Sequence, residues 1–165
     1  MFEQMRKSLQ SLLSPTPAAP TQWKQYDNPP AGFQISFPAP PTPPKDTANS
    51  TEGTYFLQVS SEVGLLAFFN DYGPEVGPAD EVLAGARDGG IANVGARLVN
   101  ERKITLDGYP GIAFESESDS NGYSSRTYLA GSVLYLTLVI TPRRQPYPDA
   151  ERFHDSFQIV PRAEG

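Results

Sequence analysis

Glu115, Glu117 and Asp119 stand at alternate positions, and in an extended segment alternate side chains share a face, so the three carboxylates are offered together. Carboxylates so placed are the raw material of general acid–base chemistry or of a calcium site. Lys103 and Arg126 supply a simpler account. If the neighbouring extended runs pair with this one so that Lys103 meets Glu115 and Arg126 meets Glu117, the acids become cross-strand ion pairs on a wet face. A flat strand also fails to converge the several oxygen ligands that calcium takes. A second acidic group, Asp71, Glu75, Asp80 and Glu81, lacks EF-hand spacing, and its last two members read as the opening turn of a helix.

His154 is the single histidine, and Asp155 and Ser156 beside it invite a triad reading. Successive helical residues diverge by about 100°, so the three cannot relay through one another, and His154 is expected to face solvent. No Gly-x-Ser-x-Gly elbow occurs. Gly90 and Gly95 have the glycine spacing of a phosphate-binding loop, but Ala96-Arg97 stands where that loop needs Lys and Ser or Thr. No catalytic, cofactor-binding or metal-binding residue is therefore assigned. Arg143-Arg144-Gln145-Pro146-Tyr147 is the dense basic loop, and arginine and tyrosine are residue types enriched at protein contacts. Arg143, Arg144 and Tyr147, with Tyr109 in a glycine turn, form the expected contact surface.

The elements that must position these residues begin with Phe2, Met5, Leu9, Leu12 and Leu13, which fall on one helical face within residues 1–14. Phe2, Met5 and Leu9 join the contact candidates, because an apolar stripe of that kind must dock on its own domain, a second copy, another protein or, weakly, a membrane surface, the last disfavoured by a local charge of only +1. Residues 15–21 read as a proline-rich extended linker, residues 22–160 as one domain and 161–165 as a tail. Inside the domain, Trp23 to Tyr26 and Phe33 to Phe37 read as strands flanking the turn Asn28-Pro29-Pro30-Ala31-Gly32. Strict alternation puts Phe33, Ile35 and Phe37 on one face. Thr54–Ser60 and Leu65–Asp71 read as strands, the second apolar on both faces and so central and covered on each side. Pro78 and the acids after it open a helix that Gly89-Gly90 weakens or ends.

Four extended runs from Arg97 to Ile140 form a meander of hairpins. Turns at Asn121-Gly122 and Gly131-Ser132, with a five-residue loop Asp107 to Gly111, set Phe114 opposite Leu129, Ile104 opposite Phe114, Leu106 opposite Ile112, Leu134 opposite Leu129 and Leu136 opposite Thr127. The shared core face is then Ile104, Leu106, Ile112, Phe114, Leu129, Leu134, Leu136 and Leu138. A helix at Asp149–Ser156 and a strand at Phe157–Val160 close the chain. The fold class is α+β: a mostly antiparallel sheet of six or more strands flanked by helices.

Composition narrows the function classes. With no cysteine and one histidine, disulfide scaffolds, thiol catalysis and multi-histidine metal sites are excluded. A net charge of −6 disfavours nucleic acid and anionic bilayers as partners. The uncharged stretch before Arg143 is too short for a bilayer span, so no integral membrane segment is expected.

Gly32-Phe33-x-Ile35-x-Phe37-Pro38-x-Pro40, the turn Asp107-Gly108-Tyr109-Pro110-Gly111, Arg126-x-Tyr128-Leu129, Leu134-Tyr135-Leu136 and the closing Arg152-Phe153-x-x-Ser156-Phe157 occur in this order. The pattern resembles the small bacterial proteins of the PsbP-like superfamily, whose fold is shared by Mog-type Ran-binding factors. The resemblance covers about residues 22–160. It implies an antiparallel sheet flanked by helices that serves without catalysis or cofactor as an assembly factor, chaperone or adaptor for a protein partner. Self-association through residues 1–14 is the other option for partnering, and a carboxylate hydrolase or a weak divalent-cation binder is the alternative function. Many bacterial relatives are exported lipoproteins; this sequence shows neither a signal peptide nor a cysteine to acylate, so the expected compartment is the cytoplasm, with export by a signal outside this chain as the alternative.

Overall fold

A computed structural model describes residues 22–45 and 51–162. The expected N-terminal helix, with Phe2, Met5 and Leu9, lies outside the described residues, as does the linker 15–21. Among those described, nine strands and two helices follow in the order β1 (Lys24–Asn28), β2 (Phe33–Phe37), β3 (Glu52–Gln58), β4 (Gly64–Asp71), α1 (Ala79–Asn93), β5 (Arg97–Leu106), β6 (Tyr109–Glu117), β7 (Asn121–Ala130), β8 (Val133–Pro142), α2 (Ala150–Asp155) and β9 (Gln158–Ile159). They form a six-stranded antiparallel sheet, β3-β4-β8-β7-β6-β5, and a three-stranded one, β1-β2-β9.

Alternation decides what each face covers. Phe33, Ile35 and Phe37 turn inward from β2 and are essentially fully buried. They pack with Tyr55, Leu65, Ala67, Phe69, Tyr128, Tyr135 and Val139 of the large sheet, and with Phe153 and Phe157 from α2 and the residue before β9. The turn between β1 and β2 is locked locally: the amide of Gly32 donates to the Asn28 carbonyl at 2.8 Å, and the buried Asn28 side chain accepts from the Ala31 amide and donates to the Tyr55 hydroxyl. The Tyr135 hydroxyl donates to the Ala31 carbonyl, tying the large sheet to the same turn. On the opposite face of the large sheet, Leu83 of α1 closes a smaller core with Ile112, Phe114, Leu129 and Leu134.

The Gly131-Ser132 turn sets Leu129 against Leu134 and Thr127 against Leu136, as expected. Two other turns differ. The β5–β6 hairpin closes on two residues, Asp107 and Gly108, both at positive φ (51° and 84°), which is the primed turn whose twist matches flanking strands. Leu106 therefore meets Tyr109, and Ile104 meets Gly111, not Phe114. The shift is odd, so Ile104 and Leu106 face the small sheet while Ile112 and Phe114 face α1. Asn121 and Gly122 lie within β7 rather than in a turn, and Phe114 opposes Ser125, not Leu129. That shift is even, and it leaves Phe114 and Leu129 on one face, both in the α1 core.

Of the two outcomes expected at Gly89-Gly90, the helix does not end there: α1 runs through both to Asn93 and packs Ile91 against the smaller core. β4 is central, but its two faces are covered unequally: Leu65, Ala67 and Phe69 are buried, whereas Leu66 and Phe68 are half-buried.

Gly111 lets β6 lie close against β7. A Cβ there would stand 2.5 Å from Tyr128 Cδ1 and 2.6 Å from the Thr127 carbonyl oxygen. The backbone contact cannot swing aside, so Gly111→Ala is expected to lower stability by about 1–3 kcal/mol, the usual range for overpacking. Urea titration followed by tryptophan fluorescence measures it; a stability equal to the parent's would mean the strands part without cost.

Candidate functional site

The basic loop sits at the lip of a cleft of about 560 Å³ on the α2 side of the large sheet. Arg144, Gln145 and Tyr147 form one wall, Glu115, Glu117, Tyr123 and Ser124 the floor, and Ala150 and Glu151 the far side. Local geometry builds the lip. Arg144 holds φ at 61°, the Gln145 amide donates to the Pro142 carbonyl at 3.1 Å, and the Ala150 amide donates to the Tyr147 carbonyl at 3.1 Å. Burial raises the Tyr147 phenol above its ordinary pKa, so it remains a neutral hydroxyl.

The carboxylates pair, but with other partners than expected. Glu117 meets Arg97 at 2.8 Å, Arg144 at 3.7 Å and Arg143 at 3.9 Å. Arg126 instead turns to α2, reaching Glu151 at 2.5 Å and Asp155 at 2.8 Å. Lys103 opposes Ile112, and Glu115 accepts from the Asn100 side chain at 3.1 Å. Asp119 lies in the loop after β6. Three guanidinium groups share one largely covered carboxylate, so the Arg144 charge at the cleft is not fully neutralised.

His154 is the main correction at this site: it is buried at 2% exposure instead of facing solvent. Its Nε2 lies 3.0 Å from Ser124 Oγ and its Nδ1 2.7 Å from Thr137 Oγ1. A neutral imidazole donates through one nitrogen and accepts at the other, and each hydroxyl can take the complementary role, so every polar atom is satisfied. Burial, aided by the Arg126 charge, lowers the imidazole pKa to about 3. The Ser124–His154 distance is that of a nucleophile and its base, yet Thr137 stands where a relay needs a carboxylate, and so weak a base does not hold a serine proton at neutral pH. The arrangement is a neutral hydrogen-bonded strut joining α2 to β7 and β8.

The acidic segment after β4 is structural at its first residue. Asp71 accepts from Ser132 Oγ at 2.6 Å, the Gly73 amide at 2.9 Å and Arg162 at 2.9 Å, and these partners, led by Ser132, hold its carboxyl below the usual range. Asp80 and Glu81 occupy the first turn of α1 as expected. Among the described residues, no group of three metal-ligating side chains converges.

The structure thus places Arg144 and Tyr147 on the cleft, leaves Arg143 outside its lining, and sets Tyr109 apart, exposed at the opposite end of β6 from Glu117. Sequence reasoning missed Tyr123, Ser124, Glu151 and His154. A signal existed for Ser124, since alternation along β7 places it with Arg126 and Tyr128 on one face, whereas Tyr123 alternates to the other; none existed for His154, whose partners are 30 and 17 residues away.

Two sheets, one helix on the large sheet and a second wedged beside the small one define a PsbP-like α+β fold. The chain is similar to the solution structure of cyanobacterial PsbP (CyanoP) from Synechocystis sp. PCC 6803, with a TM-score of 0.62 at 13% identity over 89% of this chain and 98% of that one. A protein of Bacteroides thetaiotaomicron VPI-5482 (TM-score 0.48, 14% identity, 87% of this chain and 50% of that one) and PA94 of Pseudomonas aeruginosa (0.42, 12%, 81% and 89%) match more weakly. No protein-family model and no curated protein matches the chain. Among the described residues, no helix is long and apolar enough to cross a membrane.

Proposed function

We propose that this protein is a non-catalytic protein-binding module of the assembly-factor or adaptor kind, and that its cleft beside α2 receives a segment of the partner. The observation that carries this reading is the joining of Arg144 and Tyr147, residue types that dominate contact energetics, at the lip of a cleft whose carboxylates Glu115, Glu117 and Glu151 are already engaged. The PsbP-like fold supports it by analogy. The module works in the cytoplasm, or outside it if a signal beyond this chain exports it.

Arg144→Glu reverses the charge on a side chain that is 71% exposed, so the fold is expected to keep its melting temperature. Partner recovery from native-host extract should fall about thirtyfold, the equivalent of a 2 kcal/mol contact residue. A photo-crosslinker at Tyr147 should capture the same partner, and one at Lys24 should not. Equal recovery by parent and variant would rule out the cleft as the contact surface.

A further inference from the structure

The large sheet is half covered on its α1 side. Six strands spaced about 4.8 Å apart span roughly 24 Å, and a helix with its side chains covers about 10 Å of that. α1 takes the β5–β6–β7 half. From β3 across β4 and β8 to the flank of α1 over β7 a groove of about 490 Å³ remains, floored by Leu66, Phe68, Leu136 and Leu138, all half-buried, and walled by Gly85 and Gly89 of α1. Tyr72 and Val94, two of the exposed large hydrophobic residues, stand on its rim.

The helix wall has an unexplained composition. Gly85, Gly89 and Gly90 each weaken a helix relative to alanine, yet a Cβ at any of them would meet nothing within 4 Å. Nothing among the described residues needs glycine there. A second helix lying beside α1 in the groove would, because small residues let two helices approach closely.

We infer that the groove is the seat of this chain's own residues 1–14, docked as a helix through Phe2, Met5, Leu9, Leu12 and Leu13. Length and path favour this occupant. Fourteen helical residues extend about 21 Å, close to the length of an eight-residue strand such as β4. The described chain begins near the β3 edge of the large sheet: Lys24 opposes Phe37, and only five residues beyond Phe37 the chain bridges β3 at Thr42 and Phe56. The linker 15–21 has seven residues and three prolines, about 22 Å when extended, so it can make the same passage and round the edge of β3. The apolar stripe then covers the half of the sheet that α1 leaves open, with Lys7 on the outward face and Arg6 at the flank of the stripe.

The full chain tests this directly, because it has no cysteine and a single introduced one can carry a nitroxide. With the label at Gln4→Cys, the amide signals of Gly85, Gly89 and Leu66 to Phe68 should lose more than half their intensity, while those of Gln25 and Glu151 on the other face persist. Leu9→Asp with Leu12→Asp should restore the lost signals. Gly89→Leu should restore those of Gly85 and Leu66 to Phe68 from the other side, by filling a groove where the fold has room for a side chain. Unchanged groove signals with the label in place would overturn the inference, as would bleaching that Gly89→Leu does not relieve. Bleaching that appears when spin-labelled chains are mixed with unlabelled isotope-enriched ones would overturn it in favour of a second copy as the occupant.

Discussion

Replacing Phe33 with alanine should destabilise the domain by about 3–5 kcal/mol, the range for deleting a buried aromatic ring. Phe33 is 1% exposed and touches four rings, Tyr55, Phe69, Tyr135 and Phe157, at centroid distances of 5.7 to 5.8 Å. Those rings come from β3, β4, β8 and the residue before β9, so one side chain joins the small sheet to three strands of the large one. Because the backbone of β2 is held on both sides by β1 and β9, the neighbours cannot collapse fully into the space left. Against a typical domain stability of about 5–15 kcal/mol the loss is a large fraction of the whole. Urea unfolding measures it, and a loss under about 1 kcal/mol would show that the two sheets do not depend on this ring.

Phe33, Ile35 and Phe37 were legible in the sequence because their information is local: strict alternation between two proline- and glycine-rich breaks leaves one face to bury. The Gly131-Ser132 turn was legible for the same reason. The register of β5 on β6 was not, and the reason lies in the architecture. Matching apolar residues across strands assumes one buried face, whereas this sheet is covered on both, by β1-β2-β9 and α2 on one side and by α1 on the other. Ile104 and Phe114 are both apolar because they serve different cores, and pairing them demanded a loop longer than the Asp107-Gly108 turn chemistry asks for. Gly89-Gly90 misled in the opposite sense: local propensity against helix was overridden by the packing of Ile91. At the cleft, the Arg-Arg-x-x-Tyr loop could be read from residue types, but the floor could not, since Glu117 and Ser124 arrive through a register that the sequence left ambiguous.

The buried histidine makes stability depend on pH in a window of its own. Its pKa is lowered from 6.5 to about 3 in the folded chain, by burial first and by Arg126 second, with Asp155 opposing. Above pH 6.5 the imidazole is neutral in both states and no stability is lost. As pH falls below 6.5 the unfolded chain takes up a proton that the folded chain refuses, so the unfolded state is favoured increasingly down to about pH 3. The loss between pH 7 and pH 5 is about 2 kcal/mol, and about 3 kcal/mol by pH 4. Asp71, whose pKa is lowered from 3.8 by its hydrogen bonds, gives up its own contribution only in more acid solution, so the interval from pH 6.5 to 4.5 belongs to the histidine. His154→Gln keeps a donor and an acceptor for Ser124 and Thr137 but cannot titrate, and its stability should stay level across that interval while the parent's falls. Urea unfolding at half-unit pH steps compares the two curves. Parallel curves would mean that the His154 ring protonates without leaving its site, so that water or a shift of Asp155 reaches it in the folded state and the strut between α2 and the large sheet is looser than its two hydroxyl contacts indicate.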